Sequence, residues 1–219
     1  MHLPISERLL ACAEYIHPGE TVADVGCDHG YLGIHLLTNG IAKAIIASDI
    51  NHGPLQAARH NAQKFGVQNN ISFHLCPGVS DVPRDFDVMV CAGMGADTMV
   101  SILEDAPWLK SDRYRLVLQC QSKTPLLRRY LSEKGWYIAE ESVLKDGKFL
   151  YTVMEVVWAP DAPRLSVGQW YLSPAILENP GAEAKEYCQR IVDGLRLAVT
   201  HRDDPEKKQA LEELENLQQ

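Results

Sequence analysis

The chain has 219 residues, 46% of them hydrophobic, which suits one full α/β domain with a small appendage and excludes a wholly disordered polypeptide. Nowhere do roughly 18 apolar residues run together, and Met1 to Tyr15 lacks an apolar run behind a basic start, so the expected protein is cytoplasmic, without membrane contact. A formal net charge of -8 excludes indiscriminate nucleic-acid binding, because Lys and Arg make the phosphate contacts, and confines any RNA contact to a local basic face.

Thr21 to Val25 follows the turn Pro18-Gly19 and predicts a buried strand running into a glycine-rich loop. Tyr31 to Leu37 reads as a helix, Lys43 to Ser48 as a strand ending at Asp49, and Pro54 to Phe65 as a helix striped by Leu55, Ala58 and Ala62. Further strands are expected at Ile71 to Leu75, Asp87 to Cys91 and Arg115 to Gln119. Helices are expected from about Ala96 to Leu103 and from Pro125 to Lys134, where proline in the first turn sacrifices no needed donor. Trp136 to Leu144 and Phe149 to Trp158, joined through Asp146-Gly147, read as an antiparallel hairpin. The order implies an α/β fold, a mostly parallel sheet with an antiparallel edge.

Past Trp158 the linker Ala159-Pro160-Asp161-Ala162-Pro163 marks a division into 1–160 and 161–219. Tyr187, Ile191, Leu195 and Ala198 stripe one helix, and Leu211, Leu214 and Leu217 a second, after Asp203-Asp204-Pro205. This predicts a C-terminal helical hairpin whose stripes are packing surfaces with a solvated charged face.

The chemistry is expected in Asp24-Val25-Gly26-Cys27-Asp28-His29-Gly30-Tyr31, because a doubly wound sheet places ligands beyond the carboxyl ends of its strands. Gly26, Gly30 and Gly33 do not have the dinucleotide spacing, and an acidic loop repels a pyrophosphate. Asp24 and Asp28 instead suit a cationic, amino-acid-bearing ligand such as S-adenosylmethionine, whose ammonium pairs with a carboxylate. Asp49, about 20 residues on, is placed to accept from both ribose hydroxyls. Cys91-Ala92-Gly93-Met94-Gly95-Ala96-Asp97 follows the fourth strand and would face the transferable methyl group.

Together these residues resemble the bacterial tRNA (adenine(22)-N1)-methyltransferase family, the TrmK family. The similarity runs from Ser6-Glu7-Arg8-Leu9 through Asp24 to Leu32, Ser48-Asp49-Ile50-Asn51 and Ala92-Gly93-Met94-Gly95. It continues through Leu116-Val117-Leu118-Gln119, Leu131 to Trp136 and Ser173-Pro174-Ala175-Ile176-Leu177. The resemblance implies a Rossmann-type class I methyltransferase sheet, S-adenosyl-L-methionine as cofactor, tRNA as partner, and a helical tail that helps hold it, with no obligate protein partner. It implies donor binding by Asp24, Gly26, Cys27, Gly30, Asp49, Ile50, Gly78, Ala92 and Gly93. Asp28 and His29 are the polar side chains expected near both substrates, with Tyr31 to stack or hydrogen-bond, and the alternative for His29 is a helix N-terminal residue bonded to its own turn; substrate contacts are expected from Met94, Gly95, Arg128 and Arg129. Two positions depart from the family pattern: Cys76-Pro77-Gly78 replaces Gly-Asp-Gly, and Cys120-Gln121 replaces Pro-Asn.

Lys110, Arg113, Arg115, Lys123, Arg128, Arg129 and Lys134 form the expected basic face, with ordinary solvated surface as the alternative. Cys27, Cys91 and Cys120 each follow a strand and are expected along the carboxyl edge beside the donor, as reduced, metal-free thiols. A small-molecule methyltransferase and a non-catalytic binding protein remain open readings.

Overall fold

In the computed structural model, which describes residues 2–178, 181–201 and 203–216, the chain opens with α1 (Glu7–Ala13). It then runs β1 (Thr21–Val25), α2 (Tyr31–Thr38), β2 (Ala44–Asp49), α3 (His52–Lys64), β3 (Ile71–Leu75), β4 (Val88–Gly95), α4 (Ala96–Asp105), β5 (Arg115–Ser122) and α5 (Thr124–Glu133). β6 (Trp136–Asp146) and β7 (Phe149–Trp158) complete the sheet, before α6 (Val167–Tyr171), α7 (Pro174–Glu178), α8 (Ala182–His201) and α9 (Pro205–Asn216).

The seven strands take the order β3-β2-β1-β4-β5-β7-β6. The first five are parallel, and β7 is antiparallel to both its neighbours. Central strands read as continuous apolar runs because both faces are covered. Along β4, Val88 and Val90 face the layer of α1, α2 and α3, while Met89 and Cys91 face that of α4 and α5. Chain order reverses between β1 and β4, so the crevice opens above their carboxyl ends.

The expected α/β class and every expected strand are found, with informative differences. β4 and β5 run on to Gly95 and Ser122 because irregular register between Ala92, Met94 and Gly95 keeps the two paired beyond the apolar stretch. The hairpin turn is Gly147-Lys148, since Asp146 still pairs with Phe149, and Gly147 takes a positive φ of 61°. α1 was not anticipated from the sequence, although Ser6 caps it and Leu9, Cys12, Ala13 and Ile16 repeat at helical spacing.

The tail has its own apolar cluster of Leu172, Val192, Leu195, Ala210 and Leu214, so these stripes are packing surfaces. Leu217 lies outside the described residues. Arg128 on α5 is fully buried and is not the surface cation expected. Its Nη2 donates to Glu141 Oε1 at 2.7 Å, and its Nη1 donates to the carbonyls of Trp170 and Tyr171 at 3.1 and 2.7 Å. Ser173 Oγ donates to the same Glu141. These bonds join α5, β6 and the start of the tail. Arg115 on β5 is likewise engaged within the protein, paired with Glu20 just ahead of β1 and with Glu155 on β7. The basic stretch is therefore not one solvent-facing surface. No helix among the described residues is long and apolar enough to cross a membrane.

Candidate active site

A cleft of about 740 Å³ lies over the carboxyl ends of β1, β2 and β4. Three strand ends are stitched together beneath it. Gly26 and Cys27 N–H groups both donate to Ser48 O, at 2.8 and 2.9 Å; Cys76 N–H donates to Asp49 O at 3.0 Å, and Ser48 Oγ to Gly78 O at 2.7 Å. The Asp49 carboxylate accepts from Asp28 N–H at 3.2 Å and Asn51 N–H at 2.8 Å. Fixed by these two backbone donors, it keeps lone pairs free for a ligand.

Asp24 is 5% exposed, and its Oδ2 has no hydrogen-bond partner. Desolvation, with Asp49 adding repulsion against the Gly33 N–H bond, pushes its carboxyl up to about 7. An unpartnered buried carboxylate is costly, and a cationic ligand group removes that cost. Beside it, Gly26 takes φ +68°, which favours glycine, and a Cβ there would sit 2.2 Å from Met94 Cε and displace that methyl group.

Asp24, Gly26, Cys27, Asp28, Tyr31, Asp49, Ile50, Gly78, Ala92, Gly93 and Met94 all line the cleft, as the sequence led us to expect. His29 does not line it: its Nδ1 lies 2.8 Å from Asp28 Oδ1 and its ring stacks on Tyr31 at 5.7 Å, so it holds its neighbours. Gly30 caps α2 at φ +73°, where a Cβ would press on Ala58 at 3.0 Å. Gly95 caps α4, and a Cβ there would meet Ser122 Oγ at 2.8 Å. Neither glycine lines the cleft; both serve close packing. Arg128 is buried elsewhere, and Arg129 pairs with Glu133 and Glu206 over the Trp170 ring, away from the cleft.

Of the cysteines, Cys27 and Cys76 reach the cleft, whereas Cys91 and Cys120 lie in the core beneath it. Side chains alternate along a strand, so following a strand does not make a residue face the ligand. Burial pushes the Cys27 thiol up, with Asp24, Asp49 and Asp28 adding to it, and burial followed by Asp24 pushes Cys91 up to about 12. Sequence reasoning missed Ser6, Arg8 and Leu9 of the α1 segment, and Gln119 and Gln121 of β5, all of which line the cleft. For α1 the available signals were its helical spacing and the resemblance over Ser6 to Leu9; for the glutamines they were their place at a strand end, the resemblance over Leu116 to Gln119 and the departure at Cys120-Gln121.

The family model for a methyltransferase domain matches residues 5–154. The chain belongs to that methyltransferase family. The chain is 31% identical over 153 residues to the tRNA (adenine(22)-N(1))-methyltransferase of Bacillus subtilis, an alignment covering 69% of this chain and 64% of the relative. The chain thus spans under two thirds of that curated relative's length. Over whole folds the likeness is longer. The crystal structure of the B. subtilis m1A22 tRNA methyltransferase TrmK superposes with a TM-score of 0.82 at 25% identity, over 98% of this chain and 96% of that one. A Streptococcus pneumoniae protein crystallised with S-adenosyl-L-methionine gives 0.85 at 29% identity, over 96% of this chain and 99% of that one.

Proposed function

We propose that this methyltransferase moves the methyl group of S-adenosylmethionine to N1 of an adenosine in tRNA, the position being 22 as in its B. subtilis relative. The observation that carries the reading is the orphaned, buried Asp24 beside the backbone-clamped Asp49 and the Gly26 cradle. Asp24 takes the donor's ammonium, Asp49 its ribose hydroxyls, and Ile50 and Gly78 flank its base end. The donor supplies an electrophilic methyl on a sulfonium.

Adenine N1 carries a lone pair free of a proton, so no side chain has to remove one, and orientation does the work. Ala92, Gly93 and Met94 form the wall against which the base seats once unstacked from the RNA. Asp28, held in a left-handed conformation at φ 49° and gripped by His29, offers its carboxylate to the positive charge developing on the ring. Tyr31 closes that side of the cleft. The division at 160/161, with a tail that aids tRNA capture from a cytoplasmic enzyme, belongs to the same reading and is supported by the tail's separate apolar cluster.

The test is incubation of the protein with labelled donor and unmodified tRNA, followed by nucleoside analysis. N1-methyladenosine at position 22 is expected. Turnover on free adenosine but not on tRNA would move the substrate to small molecules.

Asp24 adds a pH signature. Its carboxyl is raised from the ordinary value to about 7, so the free protein loses stability as pH rises from that ordinary range through 7, where the buried group must ionise. Donor binding needs the ionised form. Affinity should therefore climb by up to about tenfold per pH unit below 7 and level off above it, with a proton released on binding at the lower pH. Asp24→Asn should flatten the profile and weaken binding; an unchanged profile in calorimetry counts against the ammonium assignment.

A further inference from the structure

Gln119 and Gln121 stand two residues apart at the end of β5, and their side chains have different fates. Gln119 is fully buried: its Oε1 accepts from Gly93 N–H at 3.0 Å and its Nε2 donates to the Cys120 carbonyl at 3.3 Å. It fixes the loop of Ala92, Gly93 and Met94 against β5. Gln121 is exposed, lines the cleft, and its amide makes no hydrogen bond among the described residues. A Cβ on Gly93 would lie 3.5 Å from Gln121 Nε2, and Met94 Cε reaches over Gly26. The free amide thus borders the loop that separates it from the Gly26 cradle.

An amide carries one acceptor and one donor side by side, which matches N6–H and N7 of adenine in a bidentate pair. That edge of the base leaves N1 unobstructed. We infer that Gln121 reads the N6–N7 edge of the target adenine and presents N1 to the methyl donor, an assignment that rests on the adenine-N1 reading above.

The pairing also has a catalytic consequence. As the N1–methyl bond forms, the sulfur–methyl bond breaks and its electron pair stays on sulfur, while the positive charge passes to the ring and spreads onto N6. The N6–H group becomes a stronger donor, and Gln121 Oε1, accepting from it, holds the transition state more tightly than the ground state. Gln119 acts behind it, as a positioning residue for the wall the base rests on.

The experiment compares wild type and Gln121→Leu on tRNA carrying adenosine, 7-deazaadenosine or 6-desaminoadenosine at the target, with donor affinity measured separately by calorimetry. Wild type should slow roughly ten- to a hundredfold on either analogue, as expected for loss of a bidentate base contact. Gln121→Leu should be slowed similarly on ordinary tRNA, lose little more on the 7-deaza substrate, and bind donor as wild type does. Gln121→Glu keeps the acceptor for N6–H but has no donor for N7, so it should be indifferent to 7-deaza substitution while still penalising loss of the N6 amine. Wild-type rates indifferent to both analogues, or Gln121→Leu losses that multiply with the 7-deaza loss, would overturn the assignment. Should wild type form another methylated nucleoside instead of N1-methyladenosine, the functional reading itself fails and this one with it. The substrate arm needs no variant, so a poorly folding mutant does not protect the idea.

Discussion

Arg128→Met is expected to destabilise the protein by about 3–5 kcal/mol, the usual cost of stranding one member of a buried ion pair. The substitution leaves Glu141 with a buried negative charge and, among the described residues, only the Ser173 Oγ side-chain hydrogen bond to answer it. It also removes the donors that satisfy the Trp170 and Tyr171 carbonyls, so the junction between the α/β sheet and the tail loosens at the same time. Pairing Arg128→Met with Glu141→Leu should recover part of the loss, because an apolar pair of similar volume removes the uncompensated charge. Denaturant unfolding decides the matter, with the slope watched for loss of two-state behaviour as the tail detaches. A loss below about 1 kcal/mol would mean the network is weakly coupled to folding, against the burial reported for both partners. For the same reason, cutting the chain near Pro160 strands Arg128, and a shortened protein is a poor test of what the tail does in RNA binding.

The second large effect is on the donor. Asp49→Ala should weaken binding of the methyl donor by roughly 2–4 kcal/mol, since two hydrogen bonds to a charged acceptor are worth about 1.5–3 kcal/mol each, less some compensation by water. That corresponds to about thirty- to a thousandfold in dissociation constant. The Asp28 and Asn51 N–H groups lose their acceptor too, so the loop bearing Asp28 should become more mobile and turnover should fall further than affinity. Asp49→Asn retains one oxygen acceptor and should fall between the two. Titration calorimetry of donor binding, with thermal unfolding as a control for the fold, reads the result directly. Wild-type affinity in the alanine variant would remove Asp49 from the ribose site.

Much of this architecture is written locally. Runs such as Ile45 to Ala47 and Leu116 to Leu118 are apolar on both faces and so specify buried parallel strands, and Gly147 marks the hairpin because the turn needs a positive φ. The loop after the first strand is legible for a related reason: a glycine-rich turn with acidic neighbours, at the carboxyl end of that strand, is a chemical statement made by consecutive residues. Asp24, Gly26, Asp28 and Asp49 accordingly line the cleft.

What the sequence by itself determined, then, is the order of the strands with the helices between them and the acidic loop after the first strand, all governed by contacts a few residues apart. Only the tertiary structure decided that Arg128 is an interior clamp, that His29 and Gly30 support the cleft without lining it, and that Cys91 lies under the sheet edge. It also decided that α1 supplies part of the cleft rim. A charge or a thiol looks the same in sequence whether it meets water or a partner; which it meets depends on segments 13, 42 or 43 residues away, as Glu141, Trp170 and Tyr171 are from Arg128. Burial of those groups is fixed by packing between elements, and the pattern within any one element does not encode it.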